Sequence, residues 1–210
     1  MGRPFTRGAY RLLHYYLRGC HNVTALNACT LPREGPALLV CNHISGLDPP
    51  ILQAACPRLI TWLMAKEYYE VRAMRWFFRR ISVITVERSG RDLAATRAAM
   101  RALSGGQVVG IFPEGRLAAT GDLQPFQTGV ALVAIKAGVP VYPACIEGTA
   151  CGAGMLEAFL YRQEVRVAFG QAVQFSRSDT SRVMIESATA AIHAAVLALR
   201  QKLREPCGAC

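Results

Sequence analysis

The chain has 210 residues, 52% of them hydrophobic and 18% charged, with 24 Lys and Arg against 14 Asp and Glu for a net charge of +10. Length and apolar fraction exclude a disordered chain and a repeat array, and fit one domain with a sizeable core. The excess charge is arginine, since only Lys66, Lys136 and Lys202 are lysines, and it favours an anionic partner: nucleic acid, an anionic bilayer face or a phosphate-bearing substrate.

Residues 1–20 carry Phe5, Ala9, Leu12, Leu13, Tyr16 and Leu17 at helical spacing, with Arg7, Arg11, His14 and Arg18 among them. That pattern suits a basic amphipathic helix lying in a membrane interface, or an ordinary surface helix packed on the domain. The arginines interrupt any signal-peptide core, and no run of about 18 apolar residues is present to span a bilayer. Cys41, Cys56 and Cys145 sit in or beside apolar runs, where a free thiol acts as a small hydrophobe, so a reducing setting on the cytosolic face of a membrane is expected.

After a turn at 30–35, Ala37–Cys41 reads as a buried strand, and Asp48-Pro49-Pro50 opens a helix to about Ala55, with Asp48 as its cap. Leu59–Met64 reads as a strand, Glu67–Arg80 as a helix and Ile81–Val86 as a β-branched strand. An Ala- and Arg-rich helix over 91–103 stops at Gly105-Gly106, followed by a strand over Val108–Phe112. Gly129–Lys136 reads as a buried helix ended by Gly138, and Val139–Ile146 as a strand. Pro140 and Pro143 point to an edge or irregular position for that strand. A strand over 164–169 and a long helix over 179–203 close the domain, leaving residues 205–210, with Cys207 and Cys210, as a frayed tail.

Strands and helices alternate, which predicts an α/β fold: a single domain over 21–204 built on a mainly parallel mixed sheet with helices on both faces. Ligands of such sheets gather at the carboxyl ends of strands. Three polar clusters fall where apolar strands stop: Asn42-His43, Glu87-Arg88 and Pro113-Glu114-Gly115-Arg116. His43 and Asp48, five residues apart across one tight turn, form a base-and-orienter pair: the carboxylate fixes one ring nitrogen as donor and leaves the other to take a proton from a hydroxyl. Glu114 and Arg116 suit a polyol or phosphate, and Arg88 suits a phosphate.

In this order the motifs resemble the glycerolipid acyltransferases, specifically 1-acylglycerol-3-phosphate acyltransferases and close lysophospholipid relatives. Their Asn-His-x4-Asp block is similar to Asn42 to Asp48, their arginine-ended block to Ile81–Arg88, their Phe-Pro-Glu-Gly block to Phe112–Gly115 and their proline-containing strand to Val139–Pro143. The resemblance implies a glycerol-phosphate acyltransferase-like fold with His43 as general base and Asp48 as its orienter. It implies that Arg88, Glu114 and Gly115, flanked by Asn42 and Arg116, bind the acceptor, and that Pro140 shapes the site. The substrates it implies are a lysophospholipid, with 1-acyl-sn-glycerol 3-phosphate expected first, and an acyl thioester on coenzyme A or acyl carrier protein. No metal or prosthetic group is implied, and the partners expected are an anionic membrane surface and the acyl carrier rather than nucleic acid. Three positions depart from the family pattern: Ser82 replaces a common glycine, Arg116 follows Gly115 directly, and Gln127 replaces a usual basic residue. They leave open another headgroup, such as lysophosphatidylethanolamine. A non-catalytic lipid- or nucleic-acid-binding module is the alternative from another class.

Overall fold

The computed structural model describes residues 8, 12, 14–17, 19–69, 83–87, 92–177 and 180–205. Among these residues seven strands form one sheet in the order β1-β7-β6-β2-β5-β3-β4. They are β1 (Asn22–Ala25), β2 (Ala37–Cys41), β3 (Ile60–Ala65), β4 (Val83–Val86), β5 (Val108–Ile111), β6 (Val141–Glu147) and β7 (Glu164–Phe169). Every neighbouring pair is parallel except β6 with β7. The carboxyl ends of β2 to β6 therefore lie along one edge.

The helices are α1 (Asp48–Ala55), α2 (Lys66–Tyr69), α3 (Leu93–Ser104), α4 (Gly129–Ala137), α5 (Met155–Leu160) and α6 (Arg182–Arg204). The sheet's two faces build separate cores because side chains alternate along each strand. Ala37, Leu39 and Cys41 of β2 face Leu47, Ile51 and Leu52 of the α1 segment, together with Leu17 and Ala158. Leu38 and Val40 face Ala99 and Leu103 of α3 and Val130, Ala134 and Ile135 of α4. β2 and β5 are buried along their whole length, as expected of central strands covered on both faces.

The strand carrying Pro143 is not at an edge: β6 lies between β2 and β7. Its proline stays in register, accepting from the Gly170 amide at 2.8 Å, while the Gly170 carbonyl that would receive its missing N–H accepts from the Thr30 hydroxyl at 2.6 Å instead. The ladder slips by one residue just beside it, from Val141↔Val173 to Ala144↔Phe169, with the extra residue on the segment that follows β7. The helix expected over 67–80 is described only as α2, and Ile81, Ser82 and the tail from 206 lie outside the described residues. β1 and α5 have no counterpart in the sequence reading.

The expected boundary at residue 20 cuts through packed structure. Residues 14–17 and 19–20 are helical, Leu17 is fully buried and the Tyr16 hydroxyl donates to the Phe159 carbonyl at 2.5 Å. Leu12 and Tyr15 are exposed on the same segment. α6 is long and apolar enough to cross a membrane by length and composition, yet Ile192, Val196, Leu199 and Leu203 pack it onto the domain core.

Candidate active site

β2 ends at Cys41, and Asn42 follows with its side chain turned into the sheet. The Asn42 Nδ2 donates to the Ile146 carbonyl at 2.9 Å, and its Oδ1 accepts from the Ile146 amide at 2.9 Å. With its oxygen and one amide hydrogen used on β6 and its surface buried, Asn42 clamps two strand ends. That is where the structure places a residue expected against the substrate.

His43 and Asp48 meet. Nδ1 of His43 lies 3.0 Å from Oδ2 of Asp48, with the histidine side chain 19% exposed and the aspartate fully buried. The same Oδ2 accepts from the amides of Ile44 at 2.7 Å and Ser45 at 2.8 Å, while Oδ1 accepts from the Thr149 hydroxyl at 2.9 Å. The cap expected of Asp48 is not formed, since no side-chain cap bond is made at that terminus. The reason is in the sequence. A cap accepts from the second and third helical amides, and here Pro49 and Pro50 remove nearby donors, so the carboxylate turns back onto its own loop. A buried carboxylate with four donors is satisfied, and it fixes Nδ1 as the proton-bearing nitrogen. Nε2 has no hydrogen bond from any described residue and belongs to a ring that reaches solvent.

The imidazole plane is also set. His43 stacks on Phe112 with centroids 4.0 Å apart and planes 17° apart, and Phe112 stacks on Trp62 at 5.1 Å and 9°. The three rings come from the neighbouring strands β2, β5 and β3, whose spacing of about 4.8 Å matches the stack. Gly110, paired with Trp62, makes room for it, since a Cβ there would stand 2.4 Å from the indole. Neighbouring loops hold the turn from outside: the Ala118 amide donates to the His43 carbonyl, the Gly46 amide to the Ala153 carbonyl and the Gly152 amide to the Ile44 carbonyl.

Glu114 is buried, and its Oε1 accepts from the His43 amide at 3.1 Å; Oε2 is buried without a hydrogen-bond partner among the described residues. Burial pushes its carboxyl up to about 7, with the His43 and Gln124 amides pulling the other way. It supports the backbone of His43 in this structure, where a contact with the acceptor's polyol or phosphate was expected. Gly115 adopts φ +71°, a left-handed backbone that favours glycine; a Cβ would stand 2.3 Å from Gln127 Nε2, the movable end of that side chain. Arg116 is exposed beside it. Arg88 lies outside the described residues. Glu87, which precedes it, follows the edge strand β4 and pairs with Lys66 at 2.9 Å.

Pro140 is not brought to the site. β6 is parallel to β2 with Leu38 opposite Val141, so Pro140 starts at the amino edge, about 20 Å along the strand direction from the carboxyl flank of β6. The carboxyl end of the same strand contributes instead, through Ile146 and Thr149. Sequence reasoning assigned no role to Thr149, Trp62 or the Phe112 ring. All three act from far along the chain, and only Phe112 belongs to a recognisable block, which does not reveal the ring's stacking role. No group of three or more metal-ligating side chains occurs among the described residues.

A family model described as Acyltransferase matches residues 22–147, more than half of the chain. A 1-acyl-sn-glycerol-3-phosphate acyltransferase of Bacillus subtilis is 26% identical over 137 residues, 65% of this chain and 67% of that protein. A lyso-ornithine lipid O-acyltransferase of Pseudomonas aeruginosa is 31% identical over 116 residues, 55% of this chain and 44% of that protein. Against a probable 1-acyl-sn-glycerol-3-phosphate acyltransferase of Mycoplasma genitalium, 30% identical over 67% of this chain, the match spans 54% of the relative's length. The crystal structure of the 1-acyl-sn-glycerophosphate acyltransferase PlsC from Thermotoga maritima superposes with a TM-score of 0.70 at 18% identity, covering 94% of this chain and 81% of that one, and shows the shared fold. The segment matched by the family model contains His43, Asp48 and Glu114, and the chain belongs to the acyltransferase family.

Proposed function

We propose that this chain transfers an acyl group from a thioester, on coenzyme A or acyl carrier protein, to the free hydroxyl of a lysophospholipid, with 1-acyl-sn-glycerol 3-phosphate as acceptor. The observation that carries the reading is the His43–Asp48 pair, with Nδ1 held at 3.0 Å by a buried carboxylate in a partly exposed ring. Nε2 takes the acceptor's hydroxyl proton as its oxygen attacks the thioester carbonyl. The tetrahedral adduct then collapses, breaking the carbon–sulfur bond, and the imidazolium returns the proton to the departing thiolate. Asp48 stabilises that imidazolium and keeps its tautomer. The protein needs no nucleophile of its own, because the substrate alcohol attacks. Arg88 and Arg116 are the groups assigned to the acceptor phosphate, with Gly115 allowing close approach. Holding two substrates together supplies several kcal/mol of the barrier, and a positioned base adds about 10²–10⁴ in rate.

A second acceptor class is favoured by a specific observation. The Pseudomonas relative, named for a lyso-ornithine lipid, is 31% identical, level with the 30% of the Mycoplasma relative named for 1-acyl-sn-glycerol 3-phosphate, and it is Gln127, which supplies no charge beside Gly115, that favours an acceptor with a different headgroup. The net charge of +10 and the exposed Leu12 and Tyr15 support work on an anionic membrane surface, peripheral and cytosol-facing. Purified protein given acyl-coenzyme A or acyl carrier thioester and a panel of lysolipids, with free thiol and diacyl product both measured, tests the reading. It requires product formed one for one with thiol, and a folded His43→Ala protein without turnover. Thiol release without diacyl product would make the protein a thioesterase.

A further inference from the structure

The Cys29 and Cys56 sulfurs lie 3.1 Å apart in a hydrogen-bonded contact, joining positions 27 residues apart in sequence. Both are free thiols, and each sits on anchored backbone. Next to Cys29, the Asn27 side chain bonds both the carbonyl and the amide of Phe169, and the Thr30 hydroxyl donates to the Gly170 carbonyl at 2.6 Å. Cys56 is the C-cap of α1. Just before it, Gln53 donates to the Arg58 carbonyl and accepts from the Ile60 amide, bracing the end of α1 against β3. Neither sulfur has to travel far to meet the other. Cys29 is half-buried and Cys56 buried, so an oxidant reaches the first and the resolving thiol waits behind it.

We propose that Cys29 and Cys56 form an oxidant-modified thiol pair, in which a peroxide converts the two thiols to a disulfide tying the end of α1 to the β1–β2 connection. The Cys29 thiolate attacks one peroxide oxygen, giving a sulfenic acid and hydroxide. The Cys56 thiol then attacks that sulfur and releases water. Two thiols are oxidised, one peroxide is reduced, and two waters form once the displaced protons are counted. The contact with Cys56 holds the Cys29 thiol below its ordinary range, while the same contact, with burial, pushes Cys56 up, and Cys29 is the more exposed of the two. This orders the steps with Cys29 as the attacking thiolate. In a reducing compartment such a bond is transient and reports the redox state.

The test uses the full chain with Cys20, Cys151, Cys207 and Cys210 changed to Ser, so that the exposed and terminal thiols cannot scramble. Stoichiometric hydrogen peroxide followed by alkylation and peptide mapping should give a linked pair of peptides containing Cys29 and Cys56, and an intact mass lower by two hydrogens. Closing a 27-residue span should raise Tm by about 5–10 °C, reversed by dithiothreitol. Cys29→Ser and, separately, Cys56→Ala should abolish both changes while keeping the reduced protein's Tm within a few degrees, roughly that of a small core truncation. Recovery of Cys29 as a sulfinic acid or an alkylated thiol with no link would overturn the proposal. A link that lowers Tm would do the same, because it would mean that the sulfurs had to be dragged together. None of these readouts depends on acyl transfer.

Discussion

Replacing Asp48 by Asn separates the electrostatic role of the carboxylate from its structural one. Its Oδ2 receives the Ile44 and Ser45 amides and faces His43 Nδ1, whereas Oδ1 meets, among the described residues, only the Thr149 hydroxyl. The side-chain amide of the Asp48→Asn variant must therefore place its oxygen toward the three nitrogens and its NH₂ toward Thr149, whose hydroxyl can turn to accept. The Ile44 and Ser45 amides and His43 Nδ1–H keep an acceptor, while the Thr149 O–H loses the one it had. What is lost besides is charge assistance, about 1 kcal/mol per bond between a charged and a neutral acceptor, or about 2–4 kcal/mol in all since the terms overlap. In a chain of this size that lowers Tm by about 4–15 °C. The kinetic cost should be much larger than the structural one, because the anion facing the imidazolium disappears: kcat should fall about 10²–10⁴-fold, with the KM values of both substrates changed less than about threefold. The assay is initial-rate thiol release with quantified diacyl product, on protein shown to be folded by its melting transition. A folded Asp48→Asn enzyme with wild-type kcat would refute the assignment of Asp48 as orienter, whatever its stability.

Thr149→Val removes one of the four bonds to Asp48 and leaves Oδ1 unpaired; kcat should fall about 5–30-fold, as expected for about 1–2 kcal/mol of lost positioning, whereas Thr149→Ser should restore most of it. Phe112→Leu should lower kcat more than Phe112→Tyr, because only the aromatic ring restores the stack under His43, and the change should shift Trp62 emission. Gly115→Ala should destabilise by about 1–2 kcal/mol from the left-handed backbone alone; Gln127→Ala in the same chain should relieve the steric share but not that one, as read in a double-mutant cycle by urea unfolding. Glu114 has its native carboxyl raised to about 7 from an ordinary 4.5, so the folded state holds more protons than the unfolded state between those values. The stability it contributes is full below about 4.5 and is lost as pH rises through about 7. Glu114→Gln should flatten that fall in Tm while keeping an acceptor for the His43 amide.

Much of this arrangement is legible in the sequence where the signal is local. β2, α1 and β7 have the bounds that their apolar run, helix-start residues and alternation predict. The His43–Asp48 contact is legible because five residues and one turn bring the two side chains together without help from the fold. β1 leaves no such mark, because Asn22–Ala25 is an edge strand, largely exposed, with too few apolar residues to define a face. α5, six residues long, carries too little of a helical period. What sets Asp48 free of its helix is legible too, in the two prolines after it, yet an aspartate before a helix reads first as a cap. Asn42 shows the opposite error: polar residues at strand ends read as ligand contacts, but a buried amide facing a neighbouring strand is satisfied by that strand's backbone.

Pro140 and Thr149 show why a motif locates a strand without saying which end of it works. Both flank β6, and the prolines are the visible mark. β6 runs parallel to β2, so only its carboxyl end can reach the loop that leaves β2's carboxyl end, and with about 3.3 Å per residue the seven residues of β6 place the two flanks over 20 Å apart. Thr149 lies two residues beyond Glu147, on the side where Asp48 waits, while the Pro140 carbonyl accepts from the Leu38 amide at the other edge. Parallel pairing alone therefore decides that truncating Thr149 disturbs Asp48 directly, whereas Pro140→Ala, which keeps that carbonyl, should leave kcat within about twofold and act on stability. A large kcat loss with unchanged Tm in Pro140→Ala would contradict the pairing that orients the whole site.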